Sequence, residues 1–165
     1  MNDQEKLDDI FDDWDEVNEA DEPEPDDPSE SLYKRIASRD ATVLGDVQAA
    51  LQSDPGDPGL LMMAALAAIF AGRHELSLRY EHRFSKRYKS RGAEGPLLRA
   101  LALAHAGRWA QASQVMKQHD RELLNLSSMY LPGGWSLMRW IQNWLNKIVR
   151  EEKRRLAPPA PKRLT

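Results

Sequence analysis

An all-α fold of stacked helical hairpins is predicted by three features of this 165-residue sequence. Apolar residues recur at the three- and four-residue spacing of a helix through residues 29–156. Breaks that contain Gly and Pro divide this region into segments of similar length. The stretch FAGRH at residues 70–74 returns as HAGRW at residues 105–109, thirty-five positions later. We therefore expect one domain of ordinary size, with a short tail at each end.

Charge is distributed unevenly along the chain. Residues 1–30 hold 15 Asp and Glu against one Lys, whereas residues 31–165 carry a net charge of +11. A segment this acidic, ending in DEPEPDDP, buries too little apolar surface to offset the entropy of ordering it. We predict a disordered acidic tail over residues 1–28, a helical domain over 29–156 and a disordered basic, Pro-rich tail over 157–165.

The first two hairpins are predicted from helical spacing and from their end signals. SLYKRIAS and DATVLGDVQAALQ form the first pair of short helices, and Asp40 is a suitable N-cap for the second of them. After the break SDPGDPG, Asp57 and Pro58 are the expected cap and first-turn pair of a new helix. That helix is predicted to end at Gly72, and a basic helix follows over residues 73–89.

A third hairpin and one long helix complete the predicted domain. Pro96 opens the first helix of the hairpin, Gly107 ends it, and its partner helix begins at Arg108. An amphipathic helix is predicted over residues 135–156. A capping helix at the open end of the stack explains its wide apolar face, because repeat arrays need such caps. Its three tryptophans and basic end leave a membrane-surface helix as the alternative.

The predicted turns have the spacing of a helical repeat. Gly72 and Gly107 lie 35 residues apart, and Arg39 in ASRD lies 33 residues before Gly72. Helical hairpins that repeat at about 34 residues are typical of tetratricopeptide repeats. The chain resembles that family over residues 29–126.

The resemblance extends to several side chains. The third hairpin matches the small, turn and large positions of the family pattern with Ala100, Gly107, Trp109, Ala112 and Met116. In the second hairpin, Ser77 and Glu81 stand where the family has alanine and an aromatic residue. In the first, Arg39 replaces the turn glycine. The size and three-hairpin plan also resemble the small helical-repeat chaperones of bacterial type three secretion, which hold an apolar segment of an export substrate.

This resemblance implies a concave partner-binding groove, lined by the first helix of each hairpin. The groove residues carried over to this chain are Met62, Leu66, Ile69, Phe70, Leu97, Leu101, Ala104 and His105. Pliant methionine side chains suit a surface that accepts an amphipathic helix. The alternative is that LLMMAALAAIF is apolar on all sides because it is the buried central helix.

The acidic tail contains the pattern of a recognition helix. In EKLDDIFDDWDEV, acidic residues fill the positions between Leu7, Ile10, Phe11, Trp14 and Val17, which recur at helical spacing. We predict that this motif docks on another protein, or on the groove or basic face of its own chain. The alternative is a tail that serves only solubility.

The basic helix predicted over residues 73–89 has a charged face and an aromatic stripe. The basic face consists of Arg79, Arg83, Lys86 and Arg87. The aromatic stripe consists of Tyr80, Phe84 and Tyr88, which recur every fourth position and are expected to pack inward rather than stack on bases. An acidic tail beside this face would compete with phosphate groups. Nucleic acid and membrane are therefore less favoured partners than protein.

No catalytic centre is predicted. The four histidines, His74, His82, His105 and His119, include no pair at the i, i+4 spacing of a helical metal site, and no nucleophile or phosphate-loop motif occurs. The chain has no cysteine, which excludes disulfides and thiolate metal sites. We expect no metal and no cofactor. The acidic start and the short apolar runs predict a cytoplasmic protein.

The sequence therefore favours a non-catalytic protein-interaction module. It would be a chaperone or adaptor that binds an amphipathic or apolar segment of a partner protein in its groove. One alternative is a basic adaptor for nucleic acid or anionic membrane, gated by the acidic tail. The other is a structural scaffold subunit of a larger complex.

Overall fold

In the computed structural model, the described residues, 28–88, 92–124 and 134–161, form eight helices and no strand. The helices are α1 (Pro28–Ala37), α2 (Val43–Ser53), α3 (Pro58–Phe70), α4 (His74–Arg87), α5 (Glu94–His105), α6 (Trp109–Gln118), α7 (Asp120–Leu124) and α8 (Gly134–Leu156). The predicted all-α class is confirmed. Residues 1–27 of the predicted acidic tail and residues 162–165 of the predicted basic tail lie outside the described residues.

Three turns of one kind join the two helices of each hairpin. Arg39, Gly72 and Gly107 have positive φ values of 56°, 71° and 75°. At the second turn, for example, the Gly72 N–H donates to the Ile69 carbonyl, and the N–H of the following residue, Arg73, donates to the Ala68 carbonyl. The turns at Arg39 and Gly107 have the same pair of bonds. Such paired bonds satisfy the last carbonyls of a helix around a left-handed residue. The predicted turn positions are confirmed, and their spacing is the period of the fold.

Arg39 holds a conformation that costs an L-residue about 1–2 kcal/mol and that glycine adopts freely. Because glycine also gives the unfolded chain more freedom, Arg39→Gly is expected to raise the free energy of unfolding by about 0.5–1 kcal/mol. The opposite change, Gly72→Ala, should lower it by about 1 kcal/mol. No atom lies within 4 Å of a Cβ at Gly72, so only the backbone conformation changes. Urea denaturation measures both values, and a destabilised Arg39→Gly would contradict this account.

Asp40 is not the N-cap that the sequence predicts for α2. The helix begins later, at Val43, and the Asp40 carboxylate accepts bonds from the Thr42 N–H at 2.8 Å and the Thr42 hydroxyl at 2.7 Å. The Arg35 Nε also donates to this carboxylate, at 2.8 Å. These donors hold the pKa of Asp40 at about 2, with the Thr42 hydroxyl the largest cause. Asp40 therefore stabilises the turn rather than the helix start.

The central helix of the domain is α3. Asp57 caps it as predicted, because its carboxylate accepts a hydrogen bond from the Leu60 N–H at 2.7 Å. Every residue from Leu61 to Ile69 is buried, since α1, α2, α4 and α5 all contact this helix. The alternative interpretation of LLMMAALAAIF, that it is the buried central helix, is therefore confirmed for residues 61–69.

The first helices of the hairpins form one face of the stack, which we call the first-helix face. In it α1 contacts α3, and α3 contacts α5. Helix α8 lies across this face, since it contacts α1 and α5, and its Trp140 ring meets the Phe70 ring at the end of α3. It also packs along α6 of the third hairpin, as a cap would. None of the described helices has the length and apolar content that crossing a bilayer requires.

Candidate interaction surfaces

The residues predicted to line an open groove lie inside the domain. The fractional exposures are 0% for Leu66, Leu97 and Leu101, 3% for Ile69 and 7% for Met62. Ala104 is also buried, and Phe70 and His105 are partly buried. The groove is therefore not open, because the first helices pack against one another and α8 lies over the ends of α3 and α5.

An aromatic cluster holds α8 in place, and the repeated pentapeptides supply three of its five rings. Phe70 and His105 each lie two positions before a turn glycine. The Trp140 ring lies 5.3 Å from the Phe70 ring and 5.4 Å from the His105 ring. The Trp144 ring lies 3.6 Å from the His105 ring and stacks on Trp109 at 6.1 Å. The period that sets the turns thus also builds the surface that receives α8.

His105 is enclosed by this aromatic cluster. Its Nδ1 lies 2.8 Å from the carbonyl oxygen of Leu101, so Nδ1 carries the proton and donates it to that oxygen. The pKa of His105 is lowered mainly by burial, which disfavours the charged imidazolium. Electrostatic interaction with the nearby His74 and Lys147 lowers this pKa further. The bond to Leu101 acts in the opposite direction without reversing the shift.

The lowered pKa of His105 predicts that stability falls as the pH drops below about 6.5, the ordinary value for histidine. Between the folded-state pKa of His105 and pH 6.5, this histidine binds more protons in the unfolded chain than in the folded chain. The stabilisation present above pH 6.5 is therefore lost as the pH falls toward the folded-state pKa. His105→Phe retains a ring against Trp144 but cannot titrate. We expect a smaller slope of unfolding free energy against pH, measured by urea denaturation between pH 7 and 5, and an unchanged slope would contradict the assignment.

The predicted basic face of α4 is exposed, and we call it the basic surface. Its members are Arg79, Arg83, Lys86 and Arg87, at helical positions i, i+4, i+7 and i+8. Within the described parts of the chain, no carboxylate lies at ion-pair distance from any of the four. On the adjoining, core-facing side of α4, Tyr80 and Phe84 are buried, which confirms their predicted inward packing.

Two clefts border the basic surface. The first, of about 490 Å³, has the exposed residues Arg73, Arg79 and Arg108 in its lining. One of these, Arg108, is paired with Glu75 at 2.6 Å. The second cleft, of about 410 Å³, lies between α2 and α4 beside Arg83. Guanidinium groups arranged in this way favour ligands that carry carboxylates.

A buried ion pair links the second and third hairpins, and the sequence does not predict it. Glu81 is 2% exposed, and its two carboxylate oxygens accept bonds from Arg99 at 3.1 and 2.9 Å and one from the Ser85 hydroxyl at 2.7 Å. Ser77 is also buried, and its hydroxyl donates to the Ala65 carbonyl at 2.8 Å. The two departures from the repeat pattern are thus both hydrogen-bonded in the core. The only signal in the sequence for these buried polar contacts is that Ser77 and Glu81 depart from the repeat pattern.

The remaining predicted residues and the comparisons add no further site. The tail motif of Leu7, Ile10, Phe11, Trp14 and Val17 lies outside the described residues. In the described segments, no group of three His, Asp or Glu side chains is placed to hold a metal ion. Comparison of the chain with protein-family models, curated proteins and solved structures found no match. The resemblance to tetratricopeptide repeats stays a prediction beside the observed all-helical fold.

Proposed function

We propose that this chain is a non-catalytic protein-interaction module that binds an acidic segment of a partner protein on its basic surface. The supporting observation is the exposed row of four cations on α4, which has no carboxylate partner among the described residues. We place this activity in the cytoplasm, in keeping with a chain that has no cysteine.

The dimensions of the basic surface suit a short peptide. Arg79 and Arg87 are eight residues apart, which is about 12 Å along a helix and the length of about four extended residues. The clefts beside Arg79 and Arg83 offer room for side chains of such a peptide. Stacking on bases is not supported, because Tyr80 and Phe84 are buried.

Binding of poly-L-glutamate tests this proposal. The probe is titrated into the full-length chain with the acidic residues of segment 1–27 changed to Asn and Gln, so that they do not compete. We expect binding that weakens with salt. Arg79→Glu with Lys86→Glu should weaken it about tenfold or more, since exposed ion pairs contribute about 0.2–1 kcal/mol each and reversal adds repulsion.

The matched control reverses one Lys and one Arg elsewhere. Lys153→Glu with Arg154→Glu changes two exposed cations at the end of α8 and should leave the affinity unchanged. An equal loss in the control would mean general charge attraction and would overturn the proposal. Tighter binding of single-stranded DNA, or of vesicles with anionic lipid, would favour the gated nucleic-acid or membrane adaptor instead.

A second candidate function is that of a chaperone or adaptor that accepts an apolar helix on the first-helix face in exchange for α8. The aromatic contacts of Trp140 and Trp144 support it, because this face already receives an amphipathic helix. A labelled peptide of residues 134–156 should bind the full-length chain and accelerate hydrogen exchange in α8. The peptide with Trp140→Ala and Trp144→Ala should bind weakly, and equal binding of both peptides would contradict this candidate.

A further inference from the structure

We propose that residues 1–27 of the same chain bind the basic surface in cis, where they compete with the acidic segment of the partner. This inference rests on the basic surface of the proposed function. Residues 1–27 hold 14 Asp and Glu and one Lys. The four cations of the basic surface have no carboxylate partner within the structure as described, so the charges of the two parts are complementary.

The acidic segment is followed by α1, which contacts the start of α3. On α1, the Tyr33 hydroxyl lies 3.5 Å from the place that a Cβ atom would take at Gly59. In the loop before α3, the carbonyl of Gly56 accepts a hydrogen bond from the Tyr88 hydroxyl, and Gly56 packs under the Arg87 guanidinium. The start of α3 therefore lies between α1 and the carboxyl end of α4.

The length of the segment is sufficient to follow the whole basic surface. Twenty-seven extended residues reach at most about 90 Å, whereas the 14-residue helix α4 is about 21 Å long. A tethered segment is present at an effective concentration of about millimolar, so even weak contacts would keep the surface occupied. A partner must then displace it, which makes the acidic segment a regulator of binding.

The apolar residues of the segment also have a place to bind. The cleft of about 410 Å³ between α2 and α4 is bordered by Arg83 and lined by Gln48, Gln52 and the small exposed parts of Leu51 and Tyr80. An aromatic side chain such as Trp14 could enter this cleft while the neighbouring Asp residues contact the guanidinium groups. The segment, which has acidic and apolar residues, would thus meet a basic surface with a partly apolar cleft beside it.

Paramagnetic broadening in the full-length chain tests the contact. The chain has no cysteine, so Asn18→Cys places a single nitroxide label in the acidic segment. We expect the amide signals of residues 79–87 to lose most of their intensity at low salt, and those of residues 141–156 to keep theirs. The signals should recover at about 1 M ionic strength, where charges are screened beyond about 3 Å.

Charge variants and mixed samples complete the test. Arg79→Glu with Lys86→Glu should abolish the broadening, and Lys153→Glu with Arg154→Glu should retain it. No broadening on α4, or equal broadening on α8, would overturn the inference. In a mixture of isotope-labelled chains and separate nitroxide-labelled chains, broadening as strong as that within one chain would show binding in trans. This result would also overturn the inference. If the cis contact fails while poly-L-glutamate still requires Arg79 and Lys86, the proposed function stands without this regulation.

Discussion

Arg99→Met is expected to lower the free energy of unfolding by about 3–5 kcal/mol, the usual cost of leaving a buried charge without its partner. Glu81 is 2% exposed, and Arg99 supplies two of the three hydrogen bonds that its carboxylate accepts. The Ser85 hydroxyl remains in the variant, but a single neutral donor does not compensate a buried carboxylate. The Arg99 side chain is 40% exposed, so some water can enter, and the lower end of the range is expected.

The double variant Glu81→Met with Arg99→Met should recover most of this loss. Methionine is a flexible apolar side chain that can occupy the space left by glutamate or arginine. Replacement of a whole buried ion pair by apolar residues is often neutral or stabilising. The control is Arg108→Met, whose partner Glu75 is 67% exposed, and it should cost no more than about 1 kcal/mol. Urea denaturation measures all three. A double variant no more stable than Arg99→Met alone would contradict the assigned pair.

Trp144→Ala is expected to cost about 3 kcal/mol, near the lower limit for truncating a large aromatic side chain, since Trp144 is partly exposed. Its ring contacts those of His105, Trp109 and Trp140, and the Lys147 ammonium lies 4.6 Å from the ring centroid. These contacts join α8 to the turn of the third hairpin. Their loss should therefore weaken the attachment of the whole helix to the first-helix face.

The same helix offers a control position. Val149 is 41% exposed on α8, and Val149→Ala should change the free energy of unfolding by about 0.5 kcal/mol or less. Hydrogen exchange should show that Trp144→Ala accelerates exchange in α8 more than in α3, because α3 remains enclosed by α1, α2, α4 and α5. Equal effects of the two substitutions would mean that the aromatic cluster does not hold α8.

The basic surface could be predicted from the sequence because it depends on local geometry. The side chains of Arg79, Arg83, Lys86 and Arg87 share one side of a helix, and Tyr80 and Phe84 lie on the adjoining side that faces the core. The groove could not be predicted in the same way. Leu66 and Leu101 are fully buried by the stacking of α3 and α5 with the helices around them, and the apolar spacing of a buried helix is the same as that of an open groove.

The period of the fold follows from local signals in the sequence. A left-handed turn depends on a single residue and on hydrogen bonds to carbonyls within five positions, so Gly72 and Gly107 were sufficient to locate two turns. The third turn, at Arg39, follows from that period even without a glycine.

The interior polar contacts and the position of α8, in contrast, depend on how the helices pack together. Glu81 meets Arg99 across 18 positions of sequence, and Trp140 meets Phe70 across 70. Such pairings depend on how whole helices stack, which local spacing does not encode. The pentapeptides FAGRH and HAGRW show both levels, since their glycines act within one turn whereas their aromatic residues act by receiving a helix from the other end of the chain.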